Sequence, residues 1–255
     1  MSPADAPAWV FRWIRRRWEP PLTEQELTAT SADAFARLAI ELHDAPGVEE
    51  TIDAVVQFAL QALNCTYAGL ALYTRGGSPE IAAVTDPVVA DVYELQLRSD
   101  IGPLVTALRD RTTVLIRDTE TDGRWPEWTT KVAALGVRST LDVPLTTGDA
   151  ARQTVGVLGL YSPVADAFTE DDEAIAHILA RHASVAVASA RHEETMAQAV
   201  DARKLVGQAM GILMERFDVD GDRAFAILKR YSQDTNTKLR DVAQQLIDTR
   251  KLPHP

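Results

Sequence analysis

The chain has 255 residues, of which 46% are hydrophobic and 25% charged, a composition typical of a globular protein with one or two domains. No apolar run reaches the roughly 18 residues that cross a bilayer, and the first residues lack the features of a secretion signal. The single cysteine, Cys65, excludes a disulfide within the chain and fits a reducing compartment. We therefore expect a cytoplasmic protein, with a membrane as an unlikely partner.

The net charge of -11 is unevenly distributed along the chain. Residues 201–255 carry ten Lys and Arg against eight Asp and Glu, and residues 1–20 carry four Arg against two acidic residues. The stretch between them has a net charge of -15. Because phosphate binding needs local cations, the acidic middle disfavours a nucleic-acid partner, whereas the C-terminal region permits one.

Residues 1–28 are interpreted as a separate extension rich in tryptophan and arginine. Trp9, Trp13 and Trp18 are interspersed with arginines before Pro20-Pro21 stops the pattern. Such a segment could lie on a membrane surface or stack against RNA. Docking on the acidic body or on a second chain is the favoured interpretation, because segments this short bind membranes weakly.

Residues 29–190 predict an α+β domain. Two amphipathic helical patterns come first, around residues 31–42 and 52–63, and a helical insertion falls near residues 88–97. Loop residues 146–149 have hairpin chemistry. These features predict an antiparallel sheet flanked by helices. The strand-like runs span residues 66–74, 80–85, 112–117, 139–145 and 154–161.

A long helix is predicted over about residues 169–217. Thr169 can cap its start, and no Pro or Gly interrupts the chain between Val164 and Gly207. Apolar residues recur there at spacings of three and four, with polar interruptions, which favours pairing of two chains. The residues predicted for this dimer helix are Ile175, Ile178, His182, Val185 and Met196.

The last segment, residues 191–255, predicts an all-α domain of three helices that shares the long helix. Its apolar stripes begin near Leu205, Phe225 and Leu239 and could enclose one small core. Breaks and N-cap chemistry are expected at 220–222 and at 236–237. A module this small has no room for a reaction cleft, so we interpret it as a recognition module.

The segment from Arg230 to Lys238 is the best candidate contact surface of that module. It combines cations that suit phosphates with amides and hydroxyls that can contact unpaired bases. Solvation and helix capping by the same groups is the simpler alternative, and a DNA-binding helix-turn-helix is another. The predicted RNA-binding residues are Arg203, Lys204, Arg216, Arg230, Gln233, Asn236, Thr237, Lys238 and Arg240.

The middle of the chain does not predict an enzyme. Its aspartates show no acid/base pair at a diagnostic spacing, and its histidines show no metal-ligand pattern. Cys65 lies at a helix-to-strand junction, which favours core packing over reactivity. We expect no catalytic residues, no metal and no cofactor.

Motifs in the middle of the chain resemble, in their order, those of GAF domains. The resemblance covers roughly residues 31–190 and implies a small-molecule or chromophore sensor that often dimerises. It places Trp125, Arg138, Ser139 and Asp142 at a pocket wall or its lid, with an effector of unknown identity; Arg138 could instead pair with Asp118 or Asp122. The motifs are Gly102 to Asp118, Asp122-Gly123-Arg124-Trp125, Leu135 to Ser139, Val143-Pro144-Leu145, Gly156-Val157-Leu158 and Ala167-Phe168-Thr169.

The C-terminal region resembles the ANTAR domain over nearly its whole length. That resemblance implies a dimeric module that holds paired RNA stem-loops and prevents transcription termination. Many members have lysine where this chain has Met210. The prediction is a homodimeric GAF–ANTAR antitermination regulator, with a DNA-binding transcription factor or a ligand-gated dimeric scaffold as alternatives. The matching residues are Gly207 to Met214, Ala224-Phe225 and Leu239 to Ala243.

Overall fold

The computed structural model of the protein describes residues 38–251, except for residues 39, 43, 75, 76 and 149–152. The predicted extension, residues 1–28, and most of the first predicted helix lie outside the described residues. The chain divides into two compact units, Met1–Arg191 and His192–Pro255. None of the described helices is both long enough and apolar enough to span a bilayer.

The first unit is built on one five-stranded sheet. Every pair of neighbouring strands is antiparallel, and the order is β2-β1-β5-β4-β3. All five predicted strands and the antiparallel sheet are therefore confirmed. The strands are β1 (Tyr67–Tyr73), β2 (Pro79–Val84), β3 (Val114–Ile116), β4 (Ser139–Thr147) and β5 (Gln153–Ser162).

Between residue 48 and β5, where the structure describes them, four helices precede or connect these strands: α1 (Val48–Ala62), α2 (Pro87–Ser99), α3 (Pro103–Asp110) and α4 (Pro126–Ala134). The sequence predicts α1 and α2 but not α3 and α4. These two helices have 8 and 9 residues, respectively, and each begins with proline. A helix of two turns offers too few positions for a periodic pattern, although proline at the first position is a typical helix start.

The sheet is covered on both faces by apolar side chains. One face packs against α1 and against the start of the long helix that follows β5, with Leu141, Leu158 and Leu179 in its core. The other face packs against α2, α3 and α4, with Leu104, Val132 and Tyr161 in its core. Because side chains alternate along a strand, Asp142 on β4 lies on the same face as Tyr161 on β5.

A helix of 48 residues, α5 (Glu170–Phe217), follows the sheet, as the sequence predicts. Its start is capped as expected: the Asp172 amide donates to Thr169 Oγ1 at 3.2 Å. In return, the Thr169 amide donates to Asp172 Oδ2 at 2.9 Å. This reciprocal pair satisfies two amide groups that a helix start otherwise leaves unpaired.

The second unit contains the end of α5, then α6 (Gly221–Asp234) and α7 (Leu239–Thr249). Asp220 caps α6 by accepting from the Arg223 amide at 2.8 Å, which confirms the predicted break and cap there. The prediction that Phe225 lies in the core is wrong: its side chain is 41% exposed, because the neighbouring Ala224 faces inward. The fully buried core is Ala209, Leu213, Ala224, Leu228, Val242, Ala243 and Leu246.

Candidate nucleic-acid interface

The connection between α6 and α7 is held by hydroxyl groups that bond to the backbone. Ser232 Oγ donates to the Thr237 carbonyl and Thr235 Oγ1 to the Tyr231 carbonyl, both at 2.7 Å. Asn236 adopts φ +50°, a left-handed conformation that asparagine tolerates better than most residues. These bonds fix the path of the turn, so the side chains on it project from a defined backbone.

Three exposed side chains on this turn have no hydrogen-bond or ion-pair partner among residues 38–251 as described: Gln233, Asn236 and Lys238. Lys238 occupies the N-cap of α7, where no side chain accepts from the first amides. The predicted cap at Thr237 is not formed, because its Oγ1 donates to the Thr235 carbonyl at 3.2 Å instead. The start of α7 therefore combines available amides with an unpaired cation, which suits a phosphate oxygen.

Two further predicted cations flank the turn and have acidic neighbours. Arg230 Nε lies 3.5 Å from Asp234 Oδ2, and Arg240 Nε lies 3.1 Å from Asp241 Oδ1. Both pairs are well exposed, so each contributes little to stability, and water or a phosphate can replace the carboxylate. The structure thus brings six of the nine predicted RNA-binding residues to one segment, residues 230–240.

The other three predicted residues lie on α5. Arg203 and Lys204 are exposed, and within the described chain neither forms an ion pair. Arg216 has a structural contact that the sequence does not reveal. Its Nη1 donates to the Arg250 carbonyl at 2.7 Å, and its guanidinium lies 5.7 Å from the Phe217 ring centre. Arg216 therefore ties the end of α7 to α5.

A surface groove near that contact was missed by the sequence interpretation. It has a volume of about 520 Å³. Because it is formed between two helices that are separate in sequence, no local pattern predicts it. Its lining residues are Gln208, Gly211, Ile212, Glu215, Ile247 and Arg250.

The four residues predicted for a pocket in the first unit occupy different environments. Arg138 donates to Asp118 at 3.0 and 3.1 Å, so the alternative pairing with Asp118 is observed. Ser139 Oγ donates to the Val164 carbonyl at 2.8 Å. Trp125 is the N-cap of α4, with the Arg124 guanidinium 4.8 Å from its ring centre.

Asp142, the fourth of these residues, is fully buried. It accepts from Tyr161 at 3.3 Å and from Thr140 at 3.4 Å, and burial raises the pKa of its carboxyl to about 7. A surface groove of about 340 Å³ lies elsewhere, between α2 and α4, and is lined by Asp91, Glu94, Leu95, Arg98, Lys131 and Leu135. None of the four residues lines the surface groove described for this unit.

The residues predicted for the dimer helix differ in exposure. Ile175 packs partly against the core of the first unit. Ile178, Val185 and Met196 are 46%, 63% and 55% exposed, respectively, which is unusual for large apolar side chains. His182 is also exposed.

Cys65 is interpreted from the sequence as a packing residue, and its surroundings suit that role. Its Sγ lies 3.5 Å from the Ala59 carbonyl. Burial raises the pKa of the thiol to about 12, with a smaller contribution from the charge of Asp172. A thiol with so high a pKa is a poor nucleophile at neutral pH. Among the residues that the structure describes, no group of His, Cys, Asp or Glu side chains is placed to hold a metal ion.

Comparison with protein families identifies both units. The sequence model of the GAF domain matches residues 45–188, and that of the ANTAR domain matches residues 194–247. GAF domains are sensor domains, and ANTAR domains bind RNA and act in transcription antitermination. Both are regulatory rather than catalytic domains. None of the curated proteins resembles the chain closely enough to count as a match.

Solved structures similar to this chain include two GAF domains of phosphoenolpyruvate-protein phosphotransferases. The Acinetobacter domain is 15% identical with a TM-score of 0.49, and the match covers 68% of this chain and 99% of that one. The Coxiella burnetii domain is 17% identical with a TM-score of 0.48, covering 64% of this chain and 95% of that one. With more than half of its length matched by the GAF model and an ANTAR domain behind it, the chain belongs to the GAF–ANTAR family.

Proposed function

We propose that the protein is a cytoplasmic, dimeric regulator that binds RNA stem-loops through residues 191–255 and thereby prevents transcription termination. Residues 29–190 form the sensor or dimerisation domain in this proposal, residues 1–28 form an extension, and the two domains share α5. The GAF domain receives the signal, either from a small-molecule effector or from a partner. The α6–α7 connection carries the proposal, because it presents Lys238, Gln233 and Asn236 without side-chain partners among the residues that the structure describes.

The RNA contacts are assigned to three kinds of group on that connection. Lys238, together with Arg230 and Arg240, binds phosphates, since exposed cations exchange counterions for phosphate oxygens. The amides of Gln233 and Asn236 contact the edges of unpaired bases, which are accessible in loops but not in a paired stem. Arg203 and Lys204 extend the cationic surface along α5. Arg216 acts indirectly, by holding α7 in place.

The proposed dimer uses the exposed apolar residues of α5. Ile178 and Val185 are separated by about two helical turns, and Val185 and Met196 by about three, so they recur on one side of the helix. A second copy of the same helix would remove these side chains from water. Two tails held by one dimer would bind two stem-loops, with a gain in affinity that depends on their separation.

RNA binding is tested with the full-length protein, a paired stem-loop RNA, and duplex DNA of equal length. We expect fluorescence anisotropy to show at least roughly tenfold tighter binding of the RNA, with affinity decreasing as salt rises because counterions are released. Tighter binding of the duplex would instead identify a DNA-binding transcription factor. If neither nucleic acid binds at low salt, the remaining interpretation is a dimeric scaffold that binds no nucleic acid.

Dimerisation is tested by sedimentation equilibrium with Val185→Glu. A carboxylate in the apolar seam is expected to weaken the dimer at least roughly tenfold, since a buried unpaired charge is costly. Gln198→Glu is the matched control: it adds the same group on the opposite side of α5, at an exposed position. Equal association of both variants and the parent protein would reject this interface.

A further inference from the structure

The sheet face of the GAF domain that packs against α2, α3 and α4 contains a cluster of polar groups that the proposed RNA binding does not use. Asp142 on β4, Tyr161 on β5 and Tyr93 on α2 are all fully buried. Tyr161 donates to Asp142 at 3.3 Å, and the Tyr93 and Tyr161 rings meet edge to face with centres 6.0 Å apart. The side chains of this cluster therefore connect α2 to strands β5 and β4.

The tyrosine hydroxyls lie directly against the backbone of the sheet. A Cβ atom at Gly159 would be 2.4 Å from the Tyr161 hydroxyl and 2.7 Å from that of Tyr93. At Gly69 of β1, a Cβ would be 3.0 Å from the Tyr93 hydroxyl. The two glycines thus leave room for phenol groups where any other residue would displace them. The close fit holds Tyr93, and with it α2, against this point of the sheet.

The polar groups of the cluster are poorly satisfied. The two bonds to Asp142 measure 3.3 and 3.4 Å, longer than the usual 2.5–3.0 Å between oxygen atoms. The Tyr93 hydroxyl makes no well-formed hydrogen bond within the part of the chain that the structure describes. A buried carboxylate with two long bonds is unstable, whereas the neutral acid tolerates the same surroundings.

No described charge compensates Asp142. From β5 and α2 the titratable groups that face it are Tyr161 and Tyr93, and burial raises the pKa of both, so they are neutral at physiological pH. On β4 itself the neighbour is Thr140. The register partner on β3 is Val114, and the buried side chains of α3 are apolar. The charge state of this interior therefore depends on Asp142.

We propose that Asp142, Tyr161 and Tyr93 form a proton-responsive latch that holds α2 on the sheet when Asp142 is protonated and loosens it when the proton is lost. Strands β4 and β5 are fixed by hydrogen-bonded neighbours on both sides, whereas α2 contacts the sheet only through side chains. The helix is therefore the element that yields. Its motion would also reach α3, because Gln96 Oε1 accepts from the Leu104 amide at 2.8 Å.

The direction of the pH effect follows from the carboxyl group. Burial raises its pKa to about 7 in the closed state, from a value near 3.9 when it is hydrated. The closed state binds the proton more tightly, so the opening constant rises with pH between these two values and levels off above the higher one. With these values, the opening constant of α2 increases by about 80-fold between pH 5 and pH 8.

The latch is tested by hydrogen exchange of the full-length protein at pH 5 and pH 8, corrected for the intrinsic pH dependence of exchange. We expect the α2 amides to lose protection by tens of fold at pH 8, and Asp142→Asn, which carries no charge, to abolish this change. Asp118→Asn, at a surface carboxylate paired with Arg138, is the matched control and should retain it. A loss of protection in Asp142→Asn equal to that of the parent would overturn the latch.

A second measurement does not depend on any variant folding. Carbon NMR of the aspartate carboxyl groups in the parent protein is expected to show one group that titrates near neutral pH. Titration of all the aspartates below pH 5 would overturn the latch. Neither experiment involves RNA. The latch and the proposed RNA binding are therefore tested independently, and either can be rejected while the other stands.

Discussion

The two domains differ in how several of their cations are partnered. In the GAF domain, Arg117, Arg124 and Arg138 each bond to a carboxylate within 3.0 Å. In the ANTAR domain, Lys204 and Lys238 have no ion-pair partner within the described residues. The first arrangement satisfies charges internally, whereas the second leaves them available to an outside anion. The comparison indicates that the net charge of -11 is a poor guide to the partner of this chain.

The interiors of the two domains also differ, in whether they enclose a polar group. The GAF domain buries both faces of its sheet and also encloses a carboxyl group, Asp142. The ANTAR domain has one small, wholly apolar core. A large core can tolerate a poorly satisfied polar cluster, because a cost of a few kcal/mol is spread over many contacts. A small core cannot, so control through a buried charge is expected in the GAF domain alone.

The largest loss of stability is expected from Leu228→Ala in the ANTAR core. Removing a fully buried leucine costs about 2–5 kcal/mol, a large share of the stability of so small a core. All five tryptophans precede residue 129, so tryptophan fluorescence does not report directly on the second unit, while circular dichroism reports on both. Denaturation should show an early loss of helix with unchanged tryptophan fluorescence.

Phe225→Ala serves as the control for that prediction. The Phe225 side chain is largely outside the core, so its removal should cost less than about 1 kcal/mol. Equal destabilisation by the two variants would show that the ANTAR core is not the one described.

A smaller effect is expected from Gly159→Ala in the GAF domain. The added methyl group would displace the hydroxyls of Tyr93 and Tyr161, and overpacking of this kind costs about 1–3 kcal/mol. Gly123→Ala is the matched control, because nothing lies within 4 Å of a Cβ atom there. Urea denaturation followed by tryptophan fluorescence measures both. A neutral Gly159→Ala would contradict the close fit of the cluster.

The fold was largely predictable, and the failures have a common physical cause. The five strands, α1, α2, α5 and the cap at Thr169 follow from local periodicity and capping patterns. Helices α3 and α4 were missed because two turns give no clear period. The exposure of Phe225 was mispredicted because Ala224, one residue earlier, supplies the inward position instead.

The candidate site was predictable in part. Residues 230–240 stand out by composition, and the six predicted residues there lie at the end of α6, on the turn and at the start of α7. The sequence could not predict which of these side chains are free to contact RNA. That depends on which hydroxyls bond to the backbone and which cations pair with a carboxylate. The contact of Arg216 with the Arg250 carbonyl joins residues 34 positions apart, beyond the reach of any local pattern.

The smallest effect on stability is expected from Arg138→Ala at the GAF surface. Hydrogen bonds from Arg138 lower the pKa of Asp118, and a carboxyl whose folded pKa is lowered contributes stability above its unfolded pKa of about 3.9. That contribution is lost as pH falls through the lowered value. Urea denaturation should therefore show a slight destabilisation at pH 7 that fades in acid. A difference that grows in acid would contradict this ion pair.

Lys238, at the start of α7, has no ion-pair partner among the described residues, and the proposed RNA interface depends on it most directly. The decisive measurement is the affinity of full-length Lys238→Ala for a paired stem-loop RNA over a series of salt concentrations. Arg223→Ala is the control, since it removes one exposed charge at the opposite end of α6. We predict that Lys238→Ala weakens binding by about tenfold and lowers the salt slope by about 1, with less than a twofold change for the control. Equal effects of the two variants, or none, would contradict the proposed interface.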